Sequence, residues 1–378
     1  MLLRTPRVAV SALFFFNGAL FGSWASRVPS VRAALDLGEG ELGLYLLCMA
    51  LGAILSFPLA GRLADEIGAA RTSRLVAIAH GPALAMVALA SEPWHLAPLL
   101  FFLGACHGGM DVAMNAFGAE VERARGRSIM VSFHAMWSVG AGCGAGIGAL
   151  AILNGLSVAT HFSLFALLTA IPALWLSAIP WQGITGRGQK SPLIALPRGS
   201  LILVGMLGFC AMIGEGAIAD WGAIFLVDVL NAGEAYAALG FTFFSIFMVT
   251  FRFAGDRLVV RFGPSNVARV GGVVAASGIL TVVLAPNVVV AWAGFALTGA
   301  GMAPLAPLVY SRAASDPVIS PGAGLASVST LGYGSLLLGP PLVGAIAEGL
   351  SLTAGFVFLA VMALMVTVLA PSLRSDRA

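Results

Sequence analysis

The chain has 378 residues, 59% of them hydrophobic and 10% charged, with a mean hydropathy of +0.97. Soluble domains carry about 25% charged residues, so no water-soluble fold hides this much apolar surface, and the same balance excludes a disordered chain. A net charge of +3 without a basic stripe excludes a nucleic-acid partner and leaves the lipid bilayer as the solvent.

Arg4 and Arg7 precede an apolar run that ends in small residues near Ala25 and Ser26, an imitation of a secretory signal. The run is long enough to span a bilayer, and a related segment recurs in the second half, so it reads as a retained first span. Runs of spanning length fall at residues 7–26, 41–63, 72–90, 97–119, 128–153, 158–179, 200–226, 235–253, 267–285, 289–310, 322–347 and 352–370. With ~20 residues in each span, about ten remain per connection, too few for a soluble domain. Cys48, Cys106, Cys143 and Cys210 lie singly in apolar runs and read as small core residues. No disulfide, metal or cofactor is expected.

Eighteen of the twenty basic residues, Arg252 among them, fall in segments on one side, and only Arg27 and Arg32 fall on the other. The positive-inside rule places both termini in the cytoplasm, and the expected location is the cell (inner) membrane. Residues 181–199 are rich in Gly, Pro and basic residues and read as a cytoplasmic linker between an N-terminal half, 1–180, and a C-terminal half, 200–378. An internal repeat supports the division. Residues 61–68 (GRLADEIG) match residues 256–263 (DRLVVRFG) at a spacing of 195, and Trp24 pairs with Trp221 at 197. The expected fold is all-α, twelve transmembrane helices in two pseudo-symmetric six-helix bundles, with a site near the midplane.

The stretch 103–115 (LGACHGGMDVAMN) places His107, Asp111 and Asn115 within an apolar run. Four residues advance a helix by about 400°, so the three form one slowly turning polar stripe, with Gly104 and Gly108 beside it. Asp111 lies 14 residues beyond Ala97, about 21 Å into a ~30 Å hydrocarbon core. A carboxylate at that depth is a functional candidate by default and suits the carriage of a proton; His107 is placed to bond it or relay the proton. Glu215 is a second intramembrane carboxylate, and Gly214 and Gly216 beside it predict a break in the seventh span. Asn17, Phe21 and Trp24 share one helix face, and His134, Trp137 and Ser138 follow on the fifth span. Flat rings with a few amides and hydroxyls suit a sugar-sized polar solute, which these residues, Asn115 and Glu215 are expected to bind. The alternating glycines 140–148 and the Gly/Pro residues 332–344 read as close-packing and bending sites.

The twelve spans and the Gly61-x-Leu-Ala-Asp65-x-x-Gly68 signature, followed by Arg71, make the chain resemble the major facilitator superfamily over its whole length. Asp111-x-x-x-Asn115 is similar to the acidic-x-x-x-Asn pattern of the fucose-permease-like proton symporters. Glu215-Gly-Ala-x-x-Asp220-Trp221 and Ser132-Phe-His-Ala-Met-Trp-Ser138 look like a bacterial branch of that group. The second acid those symporters carry on helix 1 is replaced here by Ala25. The resemblance implies that the Gly61–Gly68 loop, with Asp65 and Arg71, stabilises one transport state by bridging the halves. It also implies that helices 1 and 7 converge at the outer gate, where Arg27 and Asp220 are expected to pair. The expected function is alternating-access symport of protons with a small polar solute, by a monomer and without enzymatic activity. An exporter of amphipathic compounds and a non-transporting sensor or assembly partner are the alternatives; the Gly-Pro pair usual on helix 5 of superfamily exporters is missing.

Overall fold

The computed structural model describes residues 4–126, 129–183, 197–316 and 321–374, apart from the side chains of residues 256, 321–323 and 326. Arg127, Arg187, Lys190 and Arg377 of the basic tally, and residues 184–196 of the expected linker, lie outside the described residues. The described elements are helical: α1 (Pro6–Ala34), α2 (Glu39–Ile67), α3 (Ala69–Val87), α4 (Pro93–Arg125), α5 (Met130–Leu153), α6 (Val158–Ser177), α7 (Leu201–Asp228), α8 (Glu234–Phe262), α9 (Pro264–Val283), α10 (Val288–Met302), α11 (Leu305–Ala314), α12 (Pro321–Gly349) and α13 (Leu352–Leu369). Two compact units are formed, Met1–Gly38 with Tyr45–Gln189, and Glu39–Leu44 with Lys190–Ala378.

Among the described residues, eleven helices are long and apolar enough to cross a membrane, with α10 and α11 counted as one. The third expected span, now α3, falls short because Arg71, Thr72, Ser73 and Arg74 occupy its first turns. The helices start where side chains satisfy free N–H groups. Thr5 accepts from Val8 N (3.3 Å), Ser157 from Thr160 N (3.1 Å) and Asn287 from Val289 and Val290 N (both 3.1 Å). Glu122 of α4 caps α5 from outside, accepting from Ile129 N (2.6 Å) and Met130 N (2.8 Å).

In the first unit α1 packs along α5 and α6, and α3 along α4 and α6. The α1–α5 contact is made by glycine on backbone. A Cβ at Gly18 or Gly22 would strike the carbonyls of Trp137 or Ala141, and one at Gly140 or Gly144 those of Phe15 or Ala19. These neighbours are main chain and cannot rotate away; of the alternating glycines 140–148, Gly140 and Gly144 pack on α1 in this way. In the second unit α7 packs on α8, α12 and α13, and α10 on α8 and α9.

The repeat is visible in the backbone. Gly68 (φ 91°, ψ 142°) alone joins α2 to α3, and Gly263 (φ 79°, ψ 155°), 195 residues on, alone joins α8 to α9. Each donates back to the carbonyl four residues before it, Ala64 O (3.0 Å) and Val259 O (2.8 Å). A side chain strains this left-handed conformation, which explains glycine at both positions.

Three expectations are corrected. α7 is continuous through Gly214–Glu215–Gly216; those glycines admit the Met302 and Leu336 side chains and do not break the helix. The interruption lies instead at Ala303–Pro304, between α10 and α11, inside a run expected to be one helix. Asp65 does not sit in a loop, because α2 continues to Ile67.

Candidate functional site

In the first unit the polar stripe of α4 is in place. The Asn115 amide donates to Asp111 Oδ1 (3.0 Å) and to the Asp111 carbonyl (2.8 Å). The geometry is that of one helical turn, which brings positions i and i+4 together. No ion pair reaches Asp111 among the described residues. Behind the stripe, Gly104 and Gly108 let α4 approach the α2 backbone, since a Cβ at either would strike Met49 O or the Ala53 main chain.

His107 turns into a cluster of rings contributed by four helices. Its centroid lies 5.2 Å from Phe21 of α1, 5.7 Å from His80 of α3 and 6.4 Å from Trp137 of α5, while Phe21 and Trp137 are 5.5 Å apart. Nδ1 of His107 is buried without a hydrogen-bond partner, and no bond joins His107 to Asp111 among the described residues. The sequence reading missed His80. It is an i+4-isolated histidine in a helix too polar at its start to draw notice, and only the packing of α3 against α4 and α6 reveals it.

Other expected residues are divided. Asn17 is fully buried on α1, one turn from Phe21, with neither amide atom bonded. Trp24 is buried with Nε1 unbonded, so it is core in this conformation. His134 is exposed and meets Phe14 edge-on at 5.3 Å, and Ser138 donates to the His134 carbonyl (3.3 Å). Gly61, Asp65, Gly68 and Arg71 lie at the α2–α3 junction with Asp65 and Arg71 exposed; the ion pair there is Arg62–Glu66 (2.8 Å).

Arg27 is buried in a polar network of its own unit. Its Nε donates to His161 Nδ1 (3.2 Å) and its Nη2 to the Leu156 carbonyl (2.7 Å). Because Nδ1 accepts, a neutral His161 carries its hydrogen on Nε2, which then donates to Ser23 Oγ (3.3 Å).

In the second unit Glu215, the fifteenth residue of the twenty-eight in α7, faces Arg252 of α8, Nη2 to Oε1 at 3.5 Å. Arg252 lies within α8, ten residues before its last residue, Phe262. Asp220, expected as a gate, lies on α7 one turn and a half beyond Glu215 and is half-buried; Trp221 beside it is buried with Nε1 unbonded. Among the described residues no group of three or more His, Cys, Asp or Glu side chains is arranged to hold a metal.

The sequence profile described as "Major Facilitator Superfamily" matches residues 9–327. The chain is 41% identical to an uncharacterized transporter of Sinorhizobium fredii, over 98% of this chain and 99% of that protein. Its fold is shared with a mutant form of the nucleoside transporter NupG (TM-score 0.80, 15% identity, covering 98% of this chain and 100% of that one). It is shared also with a D-xylose-proton symporter (TM-score 0.76, 16% identity, covering 98% and 97%).

Proposed function

The chain belongs to the major facilitator superfamily and is a multi-pass membrane transporter, not an enzyme; from that premise we propose that it couples uptake of a small polar, sugar-like solute to protons by alternating access. The observation that carries the proposal is the Asp111–Asn115 pair. A carboxylate inside a span, bonded to a neutral amide and to no cation among the described residues, is costly as an anion and becomes tolerable when a proton neutralises it. Such a group links proton occupancy to closure of the protein around its cargo.

Phe21, His107 and Trp137 supply ring faces for the C–H surfaces of a sugar, and Asn17, His134, Ser138 and Asn115 are the polar side chains proposed to serve its hydroxyls. The cargo named for one solved structure of this fold, D-xylose with a proton, is in keeping with this reading. The N- and C-terminal halves act as the two moving bundles. Arg27 with Asp220 and the Gly61–Asp65–Gly68–Arg71 junction serve as gates, in a monomer of the inner membrane with both termini cytoplasmic.

The test is uptake by the purified chain in liposomes. An imposed inward proton gradient is expected to drive accumulation of a member of a panel of aldoses, polyols and sugar acids. Accumulation that ignores the gradient, or outward movement of amphipathic compounds alone, contradicts the proposal.

A further inference from the structure

We infer that Asn17, His80 and His107 form a polar pocket inside the first unit that takes one neutral hydroxyl oxygen, from a water molecule between loads and from the solute during transport. The solute half of this inference rests on the symport reading and narrows the cargo to an uncharged compound with a hydroxyl in the pocket. Asp111 keeps the coupling proton.

The three residues come from α1, α3 and α4 and are joined through rings. His80 meets His107 edge-on at 5.7 Å and Phe16 edge-on at 5.9 Å. Asn17 follows Phe16 in α1 and lies one turn before Phe21, which packs on His107 at 5.2 Å. Asn17 and His80 are buried. Asn17 Nδ2 and Oδ1, His80 Nδ1 and His107 Nδ1 are all sealed from solvent, with no hydrogen-bond partner among the described residues.

Buried polar atoms without partners are rare, because each forfeits its hydration. Packing alone is served better by Leu or Phe, which fill such space without that cost. Four orphaned atoms on three neighbouring residues therefore call for a shared partner. The other histidines of the adjacent helices are engaged elsewhere, His134 on Phe14 and His161 with Arg27 and Ser23. Asp111, one turn along α4 from His107, is bonded by Asn115, and the cations of α3, Arg71 and Arg74, stand in its first turns.

The donors and acceptors on the three side chains select the partner. A neutral imidazole offers one donor and one acceptor, and a primary amide offers both kinds. A carboxylate only accepts and an ammonium only donates, and either brings a charge among the rings of Phe16, Phe21 and Trp137. A hydroxyl donates, accepts and is neutral. His107 also faces Trp137 at 6.4 Å, so a solute laid on the Phe21 and Trp137 rings has His107 beside it, and the hydroxyl at that edge is the one the pocket reads. Water has the same donor and acceptor character and fits the same partners between loads.

Two measurements on the full-length purified chain test this. In thermal unfolding without solute, Asn17→Leu and His80→Phe are each expected to lower the melting midpoint, and the double variant to fall by less than the sum, because both side chains share one water. If the atoms are dry, each substitution removes an unsatisfied group and raises the midpoint, and the inference falls; additive lowering overturns the shared pocket as well. In proteoliposomes, the aldose or polyol that is accumulated is compared with its monodeoxy analogues. Loss of one particular hydroxyl is expected to raise the half-saturating concentration by about tenfold or more. His80→Phe is expected to raise it similarly for the full solute, to leave that of the deoxy analogue unchanged and to keep gradient-driven accumulation. His80→Gln, which keeps a donor and an acceptor, is expected to recover part of the loss and serves as the test where the Phe variant does not fold. Equal weakening of both compounds in either variant shows a merely structural role and overturns the inference. Sugar acids or amino sugars accumulated in preference to neutral compounds overturn it too, while proton-coupled symport stands. Absence of gradient-driven uptake of any compound removes the symport reading and the solute half with it, and the thermal cycle then decides the water site.

Discussion

Asn115 donates both hydrogens of its amide to Asp111, one to the carboxylate at 3.0 Å and one to the carbonyl at 2.8 Å. The amide thereby fixes the carboxylate's rotamer and leaves its other oxygen to receive the proton. A bond to a charged group contributes about 1.5–3 kcal/mol. Asn115→Leu is accordingly expected to reduce proton-driven uptake by about tenfold or more and to lower the melting midpoint, while Asn115→Gln retains part of both. Unchanged uptake would show that the amide merely fills space.

Glycines at helix crossings set a second expectation. Gly22→Ala and Gly104→Ala each drive a methyl into a neighbouring backbone carbonyl, of Ala141 and Met49 respectively. Overpacking of this kind costs about 1–3 kcal/mol, read as a lower melting midpoint. Gly334→Ala meets nothing within 4 Å and serves as the control, expected to be neutral or slightly stabilising through helix propensity. Equal effects at all three sites would contradict the packing account.

His161→Phe keeps a ring at the position but removes the acceptor for Arg27, which retains the Leu156 carbonyl. A loss of about 1.5–3 kcal/mol in stability follows, with His161→Gln recovering part of it. For the proposed outer gate, exchanging the charges of Arg27 and Asp220 together is expected to restore transport lost in either single exchange; no rescue removes the gate.

At the start of the linker, Trp181 donates to the buried Glu120 carboxylate (2.6 Å) and packs on Phe117 at 5.7 Å. Trp181→Phe preserves the ring contact and removes the donor from a buried acceptor, expected to cost about 1–3 kcal/mol. Glu120→Gln, which keeps an acceptor oxygen, is expected to cost less in the same thermal measurement.

The residues that were legible in the sequence are those whose meaning is local. The Asp111–Asn115 spacing, eleven of the twelve apolar spans and the Gly68/Gly263 repeat follow from helix period and repeat distance, and these are found among the described residues. Contacts between helices are not local, and there the reading failed. Nothing in residues 252 and 215 announces that α8 aims its arginine at α7, or that His80 closes the ring cluster around His107. The glycines beside Glu215 illustrate the ambiguity: glycine marks a break or a close approach equally, and only Met302 and Leu336 decide for approach.

The central claim is that Asp111 carries the coupling proton. The direct measurement compares gradient-driven accumulation with solute exchange at equal pH, in liposomes containing the Asp111→Asn protein. The amide is neutral without a proton, so exchange is expected to persist while accumulation against a gradient is abolished. Accumulation undiminished in Asp111→Asn would contradict the account and pass the coupling role to Glu215.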